Sequence, residues 1–414
     1  MGKTSELFVV KTLTDALALL RPYFLPLYTR QEDVEILEAW GRLLAADVRA
    51  PEPLPHYCKS TVDGLAVQAA ATFGASEAMP ALIQVQGEIR MGQAPVADLH
   101  SGAGMLIPTG GMLPSGADAV VMVEYLDDFG DGLYGVTKAV APGENVIAAG
   151  EDVQSGQVVL NRYTRVRAQE MGLCAALGLV KVPVVLRPKV GVLSTGDEIV
   201  PPTQAPQPAQ TRDINGYTLY GQVQACGGSP RYYGIVPDNQ TALRRKLEEM
   251  LAENDVILLS GGSSVGARDM SAELIGSLGE PGLLFHGLAV RPGKPTIAGV
   301  AGDKVIFGLP GHPASAMIVF DNLVRPCLDG SLWQEQELPR PEGVLTQNVY
   351  SGTGREEFVR VRMVSQAGEW QVEPLRGKSG LISTMTAADG TVHIPLNTEG
   401  IKAGQRVRVR LWER

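Results

Sequence analysis

Between about Pro188 and Leu328 the chain alternates two textures, and this alternation restricts the possible folds most tightly. Strand-like runs "KVGVLS", "PRYYGIV", "DVILLS" and "KVIFGLP" are interleaved with helical stretches "NGYTLYGQVQACG", "NQTALRRKLEEMLAE" and "ASAMIVFDNLVR". The pattern predicts a parallel sheet with helices packed on its faces. Ligands on open sheets of this kind sit outside the carboxyl ends of the strands. The residues just after each strand are therefore the ones to read for chemistry.

Three strand ends stand out. "VGVLSTGDEIV" finishes in Thr195, Gly196, Asp197 and Glu198. "VILLSGGSSVGARD" finishes in Ser260, Gly261, Gly262, Ser263 and Ser264, with Asp269 a few residues on. "VIFGLPGHPASA" finishes in a turn stiffened by Pro310 and Pro313. Bare backbone N–H groups in a Gly/Ser loop attract anions, whereas carboxylates repel them. A hard cation such as Mg2+ reconciles the two by bridging carboxylate and phosphate oxygens. Glu198 and Asp269 are thus candidate metal ligands, the alternatives being a surface acid for Glu198 and a helix N-cap for Asp269.

The loop lacks the spacing of an NTPase phosphate loop. In "HGLAVRPGKPTIAG", Arg291 and Lys294 flank a Pro-Gly turn and offer fixed cations near the expected anion site. His312 is a lone histidine and reads as a hydrogen-bonded turn residue. The sequence has no Ser-His-Asp ordering, no His-rich metal cluster and no nucleophilic cysteine context.

The remainder of the chain differs in texture. The first ~50 residues read as helical, in "TLTDALALLRPYF" and in "VEILEAWGRLLAADV", by apolar residues three and four apart. Three prolines in "APEPLPHY" then mark a change of unit. Short strand-like runs such as "ALIQVQGEIRMG" and "GADAVVMVEY" follow, before a helical stretch returns at "RVRAQEMGLCAALGL". The tail alternates polar and apolar residues in "EEFVRVRMV" and "QRVRVRLW", as strands of a small β-barrel or sandwich with one solvated face do. "PPTQAPQPAQ" reads as a surface loop.

The expected organisation is a multidomain α/β-plus-β protein. A helical N-terminal domain (1–58 and 142–186) carries an inserted β-rich domain (59–141). An α/β parallel-sheet domain (187–330) and a C-terminal β-barrel (331–414) follow.

Composition narrows the function classes. An apolar fraction of 44% over 414 residues supports several cores, and a net charge of −9 argues against a nucleic-acid binder. Four scattered cysteines, Cys58, Cys174, Cys226 and Cys327, have no metal or redox spacing. They read as isolated buried thiols of a reducing, cytoplasmic setting. No apolar run is long enough to span a membrane, and the N-terminus does not read as a secretory signal.

Taken in order, "KSTVDGLAV", "IPTGGMLPSGADAVVMVE", "PGENVIAAGEDV", "VGVLSTGDEIV", "DINGYTL", "LLSGGSSVGARDM", "VRPGKPT" and "GLPGHPASA" resemble the molybdopterin molybdenumtransferases of the MoeA type. The resemblance runs over nearly the whole chain. It implies a homodimer of four-domain subunits and a Mg2+-dependent reaction. In that reaction molybdate and adenylylated molybdopterin give molybdenum cofactor and AMP, with a molybdopterin adenylyltransferase as the donor of the pterin. It also implies catalytic roles for Asp63, Asp152, Glu198, Asp238 and Asp269, with Asp63 and Asp152 reaching the cleft from the partner subunit. Thr109, the loop Ser260–Ser264, Arg291 and Lys294 become substrate contacts. Pro310 and Pro313 shape the cleft, and Arg355 and Ser379 align with positions that face it.

Departures from the family pattern fall at Ile147, Ala148 and Ala149, where a basic run is usual. Others are Gly287 for a common Lys, His312 for Asn and Leu65 for an aromatic residue. Two rival readings are a related adenylyl-transfer or phosphoanhydride-processing enzyme and a non-catalytic scaffold of the same family.

Overall fold

The strand Lys189–Thr195 is buried at six of its seven residues, and a strand apolar on both faces belongs inside a sheet. In the computed structural model, which describes residues 10–261, 265–333 and 340–412, it lies second in a six-stranded sheet. The order is Ser229–Val236, Lys189–Thr195, Val256–Gly261, Lys304–Leu309, Ile297–Ala301 and Pro281–His286. The first four strands are parallel, as the alternation predicts. The last two are antiparallel to their neighbours, so the sheet is mixed. Short Gly- and Pro-bearing segments between the second and third strand ends hid this hairpin from the sequence pattern.

The chain leaves Lys189–Thr195, adds its next strand on one side and the following one on the other. This reversal of winding opens a crevice at the carboxyl ends of the strands. Thr195 and Gly261 stand opposite one another there, in register. At Gly261 the backbone has φ +148°, and a Cβ would lie 2.0 Å from the Thr195 carbonyl oxygen. Only glycine lets the two strand ends approach this closely.

Contacts divide the chain into two compact units, Met1–Glu32 with Val185–Arg414, and Asp33–Val184. In the first, the helix Leu13–Thr29 is capped by Thr12, whose hydroxyl accepts from Asp15 N. It buries Ala16, Leu20, Phe24, Leu27 and Tyr28 on one stripe. Tyr28 donates to the Cys327 carbonyl at 2.8 Å, and the Phe24 ring packs 6.3 Å from that of Phe307. The tail closes into a barrel of five strands, 342–345, 356–366, 369–374, 390–394 and 406–411. Val407 and Val409 are buried while Arg406 and Arg408 face outward, so the Arg-Val alternation is a half-solvated strand. The two-residue strand Val290–Arg291 pairs in parallel with Glu356 and Glu357 and ties the α/β sheet to the barrel.

The second unit holds a six-stranded sheet of order 119–122, 64–67, 103–107, 81–88, 133–136 and 126–128. Leu65 faces a core with Val67, Ile83 and Val121, and Ala66 faces another with Met105, Ile107 and Val120. The helical stretch predicted near 165–179 is observed as Ala168–Ala176.

Two further expectations fail. Val34–Val48 is not a helix; it contains the end of the strand Gln31–Glu35, a 3-10 turn at Ile36–Glu38 and extended segments. Its backbone N–H groups bond distant carbonyls instead of the residue four back: Gly41 to Val166, Leu44 to Thr164 and Ala45 to Pro183. Gly41 at φ +72° breaks any helical path, while Ala39, Leu44 and Val48 still reach the core. Of the four cysteines, only Cys174, Cys226 and Cys327 are buried; Cys58 is exposed.

Candidate functional site

At the crevice the strand ends are tied together by polar side chains. Asn215, at the start of the helix Asn215–Ala225, donates from Nδ2 to Ser260 Oγ at 2.7 Å and to the Gly311 carbonyl at 2.9 Å. One buried amide thus fixes the second and third strand ends together. Asp213 accepts from Gly216 N at 2.9 Å and from the Tyr232 hydroxyl at 2.6 Å. Burial, and then the Asp213 carboxylate, push the Tyr232 hydroxyl far above the ordinary phenol range. Thr195 donates to Asp238 Oδ1 at 2.7 Å, and Asp238 N donates to Asp197 Oδ1 at 3.1 Å.

Glu198 is exposed beside this group. Gly262, Ser263, Ser264 and the side chain of Asp269 lie outside the described residues. Among the described residues, no group of three His, Cys, Asp or Glu side chains is arranged to hold a metal ion. Mg2+ does not need one, because it keeps several waters and is commonly held by one or two carboxylates with substrate phosphates. The exposed Glu198 carboxylate fits that donor set.

A cavity of about 410 Å³ opens next to the third strand end. Arg291 and Lys294 line it from one turn, Pro310 and His312 from another, and Arg355 and Ser379 from the barrel, with Gly261 at its edge. Residues spread over more than a hundred positions of sequence therefore meet in one place. Pro313 is buried as the first residue of the helix Pro313–Val319. Arg291 Nη1 pairs with Glu357 Oε2 at 3.5 Å. Arg355 Nε is buried with no hydrogen-bond partner among the described residues. A buried guanidinium N–H without a partner is costly.

The second unit contributes separate features. Thr109 donates to Asp63 Oδ1 from its backbone N–H at 2.6 Å and from its hydroxyl at 3.0 Å. The Thr109 N–H, and then its hydroxyl, hold the Asp63 carboxyl below the ordinary carboxylate range. Asp152 lines an open cavity of about 720 Å³ with Glu151, His56, Tyr57, Lys59 and Ile147. Lys59 stands opposite Ile147 in antiparallel register, so a cation is supplied across the strand pair from the residue that departs from the family pattern. Gly287 adopts φ +118° and its carbonyl accepts from Lys11 N.

Three family models match in succession: "MoeA N-terminal region (domain I and II)" at residues 11–178, "Probable molybdopterin binding domain" at 191–330 and "MoeA C-terminal region (domain IV)" at 342–412. A Methanocaldococcus jannaschii protein is 35% identical over 397 residues, covering 92% of each chain. The chain belongs to the MoeA family. The molybdopterin molybdenumtransferase of Bacillus subtilis is 31% identical over 387 residues, 92% of this chain and 89% of that one. A crystal structure of the molybdopterin biosynthesis MoeA protein from Pyrococcus horikoshii superposes with a TM-score of 0.83 at 35% identity, over 98% of this chain and 100% of that one.

Pattern reading missed Asn215, Asp213 and Tyr232 as parts of the site. The signal was present in "DINGYTL", where an acid and an amide precede a glycine at a helix start. The partners of Asn215, Ser260 and Gly311, are 45 and 96 residues away, beyond any local pattern. No described helix is long and apolar enough to cross a membrane.

Proposed function

We propose that the chain is a molybdopterin molybdenumtransferase, joining molybdate to adenylylated molybdopterin with release of AMP to give molybdenum cofactor. The observation that carries this reading is the cavity at the strand ends, where Arg291, Lys294 and Arg355 converge with the Ser379 hydroxyl. Three cationic side chains around a hydroxyl suit a tetrahedral oxyanion. The adjoining crevice, edged by Ser260, Gly261 and Asp238, suits the pyrophosphate and the nucleotide leaving it. Membership of the MoeA family and the name of the Bacillus subtilis relative support the same chemistry.

In this reading Glu198, with Asp269, would hold Mg2+, which supplies charge neutralisation on the pyrophosphate. Lys294 and Arg355 bind and orient molybdate, and fixed donors stabilise charge without reorganising during the reaction. Thr195 orients the Asp238 carboxylate. The protein works in the cytoplasm as a homodimer in which Asp63 and Asp152 of one copy serve the cleft of the other. A molybdopterin adenylyltransferase supplies the pterin substrate.

The test follows AMP by chromatography when purified protein meets adenylylated molybdopterin, with and without molybdate and with or without chelator. AMP release that requires molybdate and stops on chelation is the expected result. Release indifferent to molybdate would overturn the transferase reading, and release in the presence of chelator would remove Mg2+ alone.

A further inference from the structure

His312 stands between Pro310 and Pro313, on the turn that follows the strand Lys304–Leu309. A residue before proline is confined to extended backbone, and His312 sits at φ −76°, ψ 126°. Its Nδ1 lies 2.9 Å from Ser379 Oγ. Ser379 is held a second time, because its carbonyl accepts from Ala314 N at 3.1 Å. The barrel loop carrying Ser379 is thus tied twice to the turn carrying His312. Both residues line the cavity that holds Arg291, Lys294 and Arg355.

The His312–Ser379 hydrogen bond has two possible directions, and they differ in what they present to an anion. If Nδ1 accepts, the Ser379 proton is committed to the imidazole, and the hydroxyl offers the cavity only lone pairs, which repel an oxyanion. If Nδ1 carries a proton and donates, the Ser379 proton is available to point at the oxyanion.

We infer that His312 is a positioning residue that donates from Nδ1 to Ser379 Oγ and so turns the Ser379 hydroxyl into a donor for a tetrahedral oxyanion in this cavity. The inference rests on the reading that the cavity takes an oxyanion. It adds a linkage between oxyanion binding and a proton. An imidazolium carries protons on both ring nitrogens, so the donating direction becomes obligatory. Among the described residues, the other charged groups facing the cavity are Arg291 with its partner Glu357, Lys294 and Arg355. Imidazole is the side chain whose proton exchange ordinarily falls around neutrality.

The experiment measures molybdate binding to the full-length protein by equilibrium dialysis, at about pH 6 and about pH 8. The wild type is expected to bind more tightly at the lower pH by about tenfold or more, the value of one hydrogen bond to a charged group. His312→Asn, whose amide donates at any pH, is expected to bind with no such slope. Ser379→Ala is expected to bind more weakly at the lower pH and also without slope.

A His312→Asn or Ser379→Ala variant that keeps the wild-type slope would overturn the inference, as would a wild type that binds no molybdate at either pH. A slope that depends on His312, without molybdate-dependent AMP release, would remove the proposed reaction and leave the inference standing. AMP release that requires molybdate, with no pH slope in binding, would do the reverse.

Discussion

The two cavities that carry the candidate site residues are built on opposite principles. The one at the strand ends is stiff: Pro292, Pro295 and Pro310 shape its walls, and three cationic side chains line it. The one in residues 33–184 is larger and open, and Glu151 and Asp152 face it together with Lys59 and His56. Rigid walls and fixed cations suit a small anion of set geometry, because fixed donors need no rearrangement when the anion arrives. Exposed carboxylates on a solvated surface suit a group that must meet several partners. In the structure the cations line a cavity of their own, and among the described acids at the strand ends Asp238 and Asp197 have donors of their own.

The largest expected effect tests the stiffness. Gly261→Ala forces a Cβ to 2.0 Å from the Thr195 carbonyl at a strained φ, and should cost about 3 kcal/mol in denaturant unfolding. A variant of unchanged stability would show that the strand ends can separate, and the wall would not be rigid. Next, Arg355→Ala should lower molybdate-dependent AMP release about 100-fold, the scale for losing one fixed donor to developing charge. Molybdate binding measured alone should fall in the same variant.

Asp255 offers a control at the far end of the same sheet. It accepts two hydrogen bonds at 2.9 Å from Arg30 and one at 2.8 Å from Lys189 N, with Lys304 at 3.7 Å. Burial raises its pKa, but Arg30, the Lys189 N–H and Lys304 outweigh burial and the net direction is downward. A depressed carboxylate contributes stability that is present above the ordinary carboxylate range and is lost as pH falls through the folded-state value. Arg30→Ala should therefore cost about 2 kcal/mol at neutral pH, less than a fully buried pair because Arg30 is 38% exposed. The difference from wild type should vanish in acid. An equal loss at all pH values would mean that Arg30 acts through packing.

The open cavity gives smaller effects. Asp152→Asn should reduce AMP release about tenfold, the scale of one hydrogen bond to a charged group, while leaving molybdate binding unchanged. A variant that lost molybdate binding would merge the two cavities into one functional site. The smallest effect is at Thr109→Val, which removes the hydroxyl but keeps the backbone donor to Asp63. Titration of Asp63 by NMR should then move slightly upward and remain below the ordinary carboxylate range.

Much of the fold was legible because local periodicity survives in the finished structure. Lys189–Thr195, Ser229–Val236, Val256–Gly261 and Lys304–Leu309 are all strands where the apolar runs predict them, and Arg406–Leu411 alternates as its Arg-Val pattern predicts. The failures share one cause. Val34–Val48 has helical spacing, yet its backbone bonds run to residues more than a hundred positions away. The antiparallel strands Pro281–His286 and Ile297–Ala301 are defined by pairing with each other and, for the second, with Lys304–Leu309.

The site divides in the same way. Sequence by itself singled out the candidate residues: the acids and glycines after each strand, the Arg291 and Lys294 pair, and the proline-flanked turn at His312. Tertiary structure alone decided which of them meet. It placed Thr109 on Asp63 across 46 residues and Ser379 on His312 across 67, and it joined Asn215 to Ser260. A side chain's type and its local backbone follow from neighbours along the chain. The hydrogen-bond partner of a polar group is chosen by whatever distant segment the packed core brings within reach.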